Sequence, residues 1–286
     1  MAAERFFLLR GKVQHYAWGG DSYLPKLLNI NNPKHQPFAE YWMGAHPSAA
    51  STLQIGNESI PLNERIAADP TAFLGTAVLK KYGELPYLFK VLDVKEMLSI
   101  QVHPSKKEAE KGFDAEEAAG IAITDQKRNY KDRNHKPEVM VALSEFWLLH
   151  GFLAEKPLLA ILQNTVAFES LIPIFQQKSY KGLYQYVMEL PQAEVDQLLA
   201  PLVASILAAP VPDKSSPAYW VRKLYLGHSE TPVNNIDRGI FSIYFFNIVK
   251  AVPGEAVFQG AGVPHAYLEG QNVELMANSD NVLRGG

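Results

Sequence analysis

The sequence predicts a mainly β fold of the sandwich or jelly-roll kind, interrupted by an α-helical insertion. Short apolar runs punctuated by glycine and proline fill residues 1 to 150 and return after residue 236. Between them, from Lys156 to about Leu207, apolar residues recur at helical spacing. The chain has 286 residues, 47% of them hydrophobic, enough for a large core in one or two domains. Strand-rich segments with many turns are the pattern of sandwiches and jelly rolls.

Phe6-Phe-Leu-Leu9 and Ser51-Thr-Leu-Gln-Ile55 read as strands, broken by Gly11, Gly19-Gly20 and Gly56-Asn57. Leu62, Ile66, Phe73, Leu74 and Val78 share one helical face within residues 62 to 82. Pro86-Tyr-Leu-Phe-Lys-Val-Leu92 is a buried strand, and Leu98-Ser-Ile-Gln-Val-His103 is a second, stopped by Pro104. A polar stretch begins near Glu108. Val139-Met-Val-Ala-Leu143 is another buried strand, and Phe146-Trp-Leu-Leu149 continues it. In the insertion, Pro173, Pro191, Pro210 and Pro212 separate the helical pieces. Strand character returns at Phe241-Ser-Ile-Tyr-Phe-Phe-Asn-Ile-Val249 and continues from Ala251 to Leu283. The expected division is a β-rich barrel part over 1–150, a helical insertion over 151–235 and a second β-rich barrel part over 236–286.

A net charge of −3 argues against general binding to nucleic acid or anionic membranes. No apolar run reaches the roughly 18 residues of a spanning helix. The opening Met-Ala-Ala-Glu-Arg-Phe-Phe is short and broken by charge, a poor signal peptide. Cysteine is absent, so any metal must sit on nitrogen and oxygen. A cytoplasmic monomer is expected.

Alternation along a strand places Gln101 and His103 on one face, with Ser99, and Val102 on the other. Glu138 opens the strand that follows Pro137, and His265 follows the turn Gln259-Gly-Ala-Gly-Val-Pro264. A Pro253-Gly254 turn, a strand, a glycine-rich turn and then Pro-His resembles the second half of a cupin motif, whose histidine binds metal inside a jelly roll. Two imidazoles, a carboxylate and an amide leave a divalent ion with net charge near +1 and an open position. Zinc accepts such a set, and two His plus one carboxylate also suit non-haem iron.

Six ordered segments carry a wider resemblance: Gln14-His-Tyr-Ala-Trp-Gly19, Glu40-Tyr-Trp-Met-Gly-Ala-His-Pro47, Lys90 to Pro104, Tyr130 to Glu138, Pro253 to Tyr267, and Ser279-Asp-Asn-Val-Leu-Arg284. Together they resemble the type I mannose-6-phosphate isomerases. The resemblance implies a cupin-type barrel with a helical domain. It implies one zinc on Gln101, His103, Glu138 and His265, and Arg284 as the catalytic arginine. It also implies a sugar-phosphate pocket lined by Trp18, Glu40, Lys90, His135, Lys136, Tyr267, Glu274 and Asp280, with Ser99 and Lys90 as phosphate contacts. Family members continue past the arginine into a Thr-Pro-Lys segment and a further β domain, so a truncated chain is expected here.

The implied reaction interconverts mannose 6-phosphate and fructose 6-phosphate through an enediol. It needs a proton carrier, and two residues suit it. His135 offers imidazole chemistry, which works near neutral pH. Lys136 shares an extended face with Glu138, which aims it at the metal while His135 points away. Two alternatives are a non-catalytic metal- or sugar-phosphate-binding cupin and an iron-dependent oxygenase. His46, before Pro47, reads as a turn or supporting residue.

Overall fold

The computed structural model describes residues 6–125, 127–226 and 232–286. Most of the opening segment read against a signal peptide lies outside them.

In chain order the elements are β1 (Leu8–Arg10), β2 (Lys12–Gln14), α1 (Tyr23–Leu27), β3 (Glu40–Met43), β4 (Thr52–Ile55), β5 (Glu58–Pro61), α2 (Leu62–Ala68), α3 (Pro70–Tyr82), β6 (Tyr87–Val94), β7 (Gln101–Val102), α4 (Lys106–Ala118), β8 (Glu138–Ala142) and β9 (Phe146–Phe152). Then follow α5 (Glu155–Asn164), a 3-10 helix (Val166–Leu171), α6 (Ile172–Glu189), α7 (Gln192–Ala208), α8 (Pro217–Leu224), α9 (Gly239–Phe245), β10 (Phe246–Ala251), β11 (Ala256–Gln259), β12 (His265–Ala277) and β13 (Leu283–Arg284).

Strands β1, β4 and β5 form a three-stranded antiparallel sheet. The others form a ten-stranded sheet around the order β10-β9-β12-β6-β3-β2. The long strand β12 is its hub, pairing antiparallel with β6, β7, β8 and β9. It can serve so many partners because it breaks register between Tyr267 and Glu269. Gly270 follows at φ +123, and a Cβ there would lie 2.6 Å from the Glu145 carbonyl oxygen. Only glycine fits that turn of the backbone.

This is a mixed α/β fold with open sheets, which corrects the expected mainly β, cupin-type jelly-roll barrel. Among the described residues the main sheet runs out at β10 and β2 without closing, and β1, β4 and β5 stand apart from it. Alternation along a strand assigns its faces, but closure depends on which edges pair, and no local pattern encodes that. A second correction concerns residues 241–245, expected as strand. They are α9, buried at every position, and the strand begins only at Phe246. A continuous apolar run has no period to separate helix from strand.

Other expectations hold in part: the strand expected over 98–103 is only Gln101–Val102, and residues 146–149 open a separate strand, β9. Residues 62–82 are helical, as α2 and α3. The insertion is helical from α5 to α7. The polar stretch after Pro104 is α4, started by a capping box. Ser105 Oγ accepts from the Glu108 N–H at 3.3 Å, and Glu108 Oε2 accepts from the Ser105 N–H at 2.9 Å. That cap sets where the chain turns away just after His103. Among the described residues, no helix is long and apolar enough to cross a membrane.

Two apolar layers support the main sheet. Trp147, Leu149, Phe246 and Leu268 share one core with Phe168, Leu199 and Trp220 of the helical segment. Leu92, Met140, Phe146, Leu148 and Tyr267 form a second core. Phe168 is fully buried, its ring 5.1 to 5.8 Å from those of Tyr244, Phe245 and Phe241. Phe168→Ala is therefore expected to lose about 3–5 kcal/mol in urea unfolding, from lost burial and the cavity left behind.

Candidate metal centre

Four strands, β7, β8, β12 and β13, deliver the polar groups. Gln101 and His265 are register partners across β7 and β12, and Arg284 of β13 lies opposite Gln101 on the other side. Glu138 opens β8 opposite Met276 of β12. His103, Glu138 and His265 are all buried, and one ligand atom from each lies within 4.8 Å of the other two. His103 Nε2 is 3.3 Å from Glu138 Oε1, and His265 Nε2 is 3.5 Å from Glu138 Oε2. Gln101 is half-buried and lines the same small recess, of about 50 Å³, as Glu138 and His265.

The imidazole orientations decide what this cluster can hold. His103 Nδ1 lies 3.1 Å from the Asn281 carbonyl oxygen, and His265 Nδ1 lies 2.9 Å from that of Val263. A carbonyl oxygen can only accept, so both Nδ1 atoms carry the proton. In the neutral ring each Nε2 then presents a lone pair to the carboxylate. Burial, opposed by Glu138, lowers the pKa of His103 and keeps it neutral. Its Nε2 is buried without a hydrogen-bond partner. Burial opposes ionisation of Glu138, while Lys136 beside it pulls the other way, and the carboxyl stays well below its usual range. Lone pairs converging on a buried anion repel unless a cation sits among them. The donor set fits a divalent metal such as zinc, with each imidazole steered by a backbone carbonyl.

Above the recess opens a cavity of about 520 Å³. Trp18, Glu40, Lys90, Ser99, Lys136, Asp280 and Arg284 line it, as does Gln101. Arg284 is exposed, and its Nη1 donates to Ser99 Oγ. Lys136 is nearly buried, with Nζ 3.3 Å from Glu138 Oε1. His135, by contrast, is exposed and absent from the lining. Tyr267 and Glu274 line the recess below. The structure thus brings together every site residue named from the sequence except His135.

Behind the metal ligands runs a buried chain of charges. Lys90 Nζ lies 3.4 Å from Glu40 Oε2 and 3.6 Å from Glu274 Oε2. Trp42 Nε1 donates to Glu40, and Tyr267 donates to Glu274 Oε1 at 2.7 Å. Burial opposes the charge on Lys90, but Glu40, Glu274 and Glu138 outweigh it and keep it protonated. Burial, with Glu138 and Glu40 adding to it, pushes Glu274 up to about 7.

Sequence reasoning passed over four residues. Lys131 and Tyr16 line the cavity, Asn281 orients His103, and Asp132 binds Asn281. Both Asp132 and Asn281 lie in segments singled out above, so their presence was visible while their contacts were not. His46 is buried, with Nε2 3.3 Å from Asp280 Oδ1. That bond, outweighing burial, lowers the pKa of Asp280.

Zinc at about a hundredfold above its Kd is expected to stabilise the metal-free protein by about 2.7 kcal/mol. His103→Ala and His265→Ala should abolish that gain, read as urea midpoints with and without zinc. Glu274 gives a pH signature in the metal-free protein. Its carboxyl is raised from 4.5 to about 7, so the stability tied to its proton is full below pH 4.5 and is lost as pH rises through about 7. Glu274→Gln should flatten that part of the profile, measured as the difference in urea midpoint between the two proteins from pH 5 to 8.

Comparison with known proteins places this geometry. Residues 6–155 match the family model described as phosphomannose isomerase type I, catalytic domain. The chain is 41% identical over 283 residues to the mannose-6-phosphate isomerase of Salmonella typhimurium, covering 97% of this chain and 70% of that protein. It is 34% identical over 310 residues to the human mannose-6-phosphate isomerase, covering 100% of this chain and 70% of that one. A crystal structure of zinc-bound mannose 6-phosphate isomerase superposes with a TM-score of 0.86 at 40% identity, covering 98% of this chain and 70% of the other. The Salmonella typhimurium enzyme bound to its substrate F6P and to zinc gives 0.85 at 39% identity, with the same coverage of 98% and 70%. This chain belongs to the type I phosphomannose isomerase family.

Proposed function

We propose that this chain is a zinc-dependent aldose–ketose isomerase that interconverts mannose 6-phosphate and fructose 6-phosphate through an enediol, with one zinc per chain. The observation that carries this is the convergence of His103 Nε2, His265 Nε2 and the Glu138 carboxylate below a cavity whose rim holds Arg284 and Ser99. Family membership supplies the reaction class, and related structures hold zinc and F6P. The sheet-forming parts, 1–150 and 236–286, supply the site, and 151–235 the helical support. A monomer in the cytoplasm belongs to the same proposal, and gel filtration and cell fractionation read it.

Gln101, His103, Glu138 and His265 would hold the zinc. When bound, it supplies Lewis acidity that steadies negative charge on the substrate oxygens. Arg284 and Ser99 together offer a planar cation and a hydroxyl at one end of the cavity, suited to the phosphate or to the enediolate. Lys136 carries the proton between C1 and C2. Its amine is beside the metal ligands and faces the cavity, and His135 lies off the lining. Proton transfer requires reach before it requires a matched pKa. Tyr267 and Glu274 form a buried hydrogen-bonded pair that can pass a proton during ring opening. Lys90 neutralises Glu40 and Glu274 so that both carboxylates can face the recess. Trp18 walls the sugar from water, and Asp280, held by His46, accepts hydroxyl hydrogen bonds at the mouth.

A coupled assay that converts mannose 6-phosphate to fructose 6-phosphate on zinc-loaded protein tests the reading. No turnover by protein that retains zinc would sink it. Arg284→Ala is expected to keep zinc and lose about 10²–10³ in kcat, since one charge-stabilising donor is removed. Normal kinetics in that variant would take Arg284 out of the site.

A further inference from the structure

The segments 130–138 and 278–284 are distant in sequence and are joined by a clasp around one amide. Asn281 is fully buried. Its Nδ2 donates to the Asp132 carbonyl at 2.8 Å, to the Asn134 carbonyl at 2.9 Å and to Asp132 Oδ1 at 3.2 Å. Its Oδ1 accepts from the N–H groups of Lys131 at 2.7 Å and Asp132 at 3.1 Å. The Asp132 carboxylate answers by accepting from the Asp280 N–H and the Asn134 N–H, both at 2.8 Å, and from Ser279 Oγ at 2.9 Å. Every polar atom of the Asn281 side chain is thus engaged.

The same residue reaches the metal centre through its backbone. The Asn281 carbonyl takes the Nδ1–H of His103, which fixes the ring and turns Nε2 toward Glu138. On the other side of the clasp, the chain leaving Asn134 runs directly to Lys136 and Glu138. A planar amide has two donor hydrogens and an acceptor oxygen on one short stem. Asparagine can therefore bind carbonyls with one end and N–H groups with the other, and neither aspartate nor leucine can.

We propose that Asn281 is a positioning residue for the metal centre: by clasping residues 131–134 it holds the carbonyl that orients His103 and sets Glu138 in register with both histidines. This rests on the zinc reading above. Asn281→Asp tests it sharply, because the variant keeps the acceptor but aims an oxygen at three acceptor oxygens. Zinc affinity, measured by competition with a chromophoric chelator, is expected to weaken about 10–100-fold, the usual effect of disturbing a group that orients a ligand. Asn281→Ser, a smaller change that still donates one hydrogen bond, is the second variant should the aspartate not fold, and a weakening of about tenfold is expected. Phe168→Val, in the remote helical core, is the control: it should lose stability and bind zinc as the wild type does. Either Asn281 variant, if folded and binding zinc within about twofold of wild type, overturns the proposal. So does an affinity loss equal to that of Phe168→Val, which would make the effect general loosening. Wild-type protein that binds no zinc would overturn the metal reading itself, and the clasp with it.

Discussion

The site depends on the buried carboxylate of Glu138. A carboxylate out of water is costly unless its charge is met nearby, because the surroundings cannot reorganise around it. Lys136 meets part of that charge. Toward the other side the carboxylate faces two imidazoles whose hydrogens are turned away to backbone carbonyls. The architecture around Glu138 therefore demands a cation. The strand hub β12, the cap that turns the chain after His103 and the clasp at Asn281 can each be understood as serving that demand.

A second consequence is the layering of charge behind the ligands. Glu40, Lys90 and Glu274 alternate in sign and are nearly inaccessible to water. Removing the middle cation would leave carboxylates facing one another in a poorly screened interior. The row helps explain how a recess so rich in acids stays folded. Burial, with Glu138 and Glu40 adding to it against Lys90, makes Glu274 easily protonated near pH 7 while Glu138 remains an anion. Two carboxyls of one chain are separated in acidity by their neighbours alone, and a proton-shuffling reaction can use that separation.

Much of the site was legible in the sequence, and for stated reasons. Strand alternation aimed Gln101 and His103 one way and Lys136 toward Glu138; Gln101 lines the recess with Glu138, and His103 Nε2 and Lys136 Nζ each lie 3.3 Å from that carboxylate. Spacing alone does not separate His135 from Lys136 as proton carrier. The exposure of His135 favours the lysine on grounds of reach. Asp132 and Asn281 lie in segments that carry the resemblance, 130–138 and 279–284. Their importance lies in a contact across 149 positions of chain, which no local spacing reveals.

The sequence by itself determined the kinds of ligand and the faces they occupy. With no cysteine, a metal site had to be built of nitrogen and oxygen, and period-two alternation aimed those atoms. It also marked the helical segment, because apolar spacing there follows one period over many turns. Only the tertiary structure decided that the sheets stay open, that residues 241–245 coil rather than extend, and that both imidazoles turn Nε2 inward. These depend on edge pairing, on burial from all sides and on hydrogen bonds between distant segments. Each is a property of what surrounds a residue, and the local pattern of the chain does not contain it.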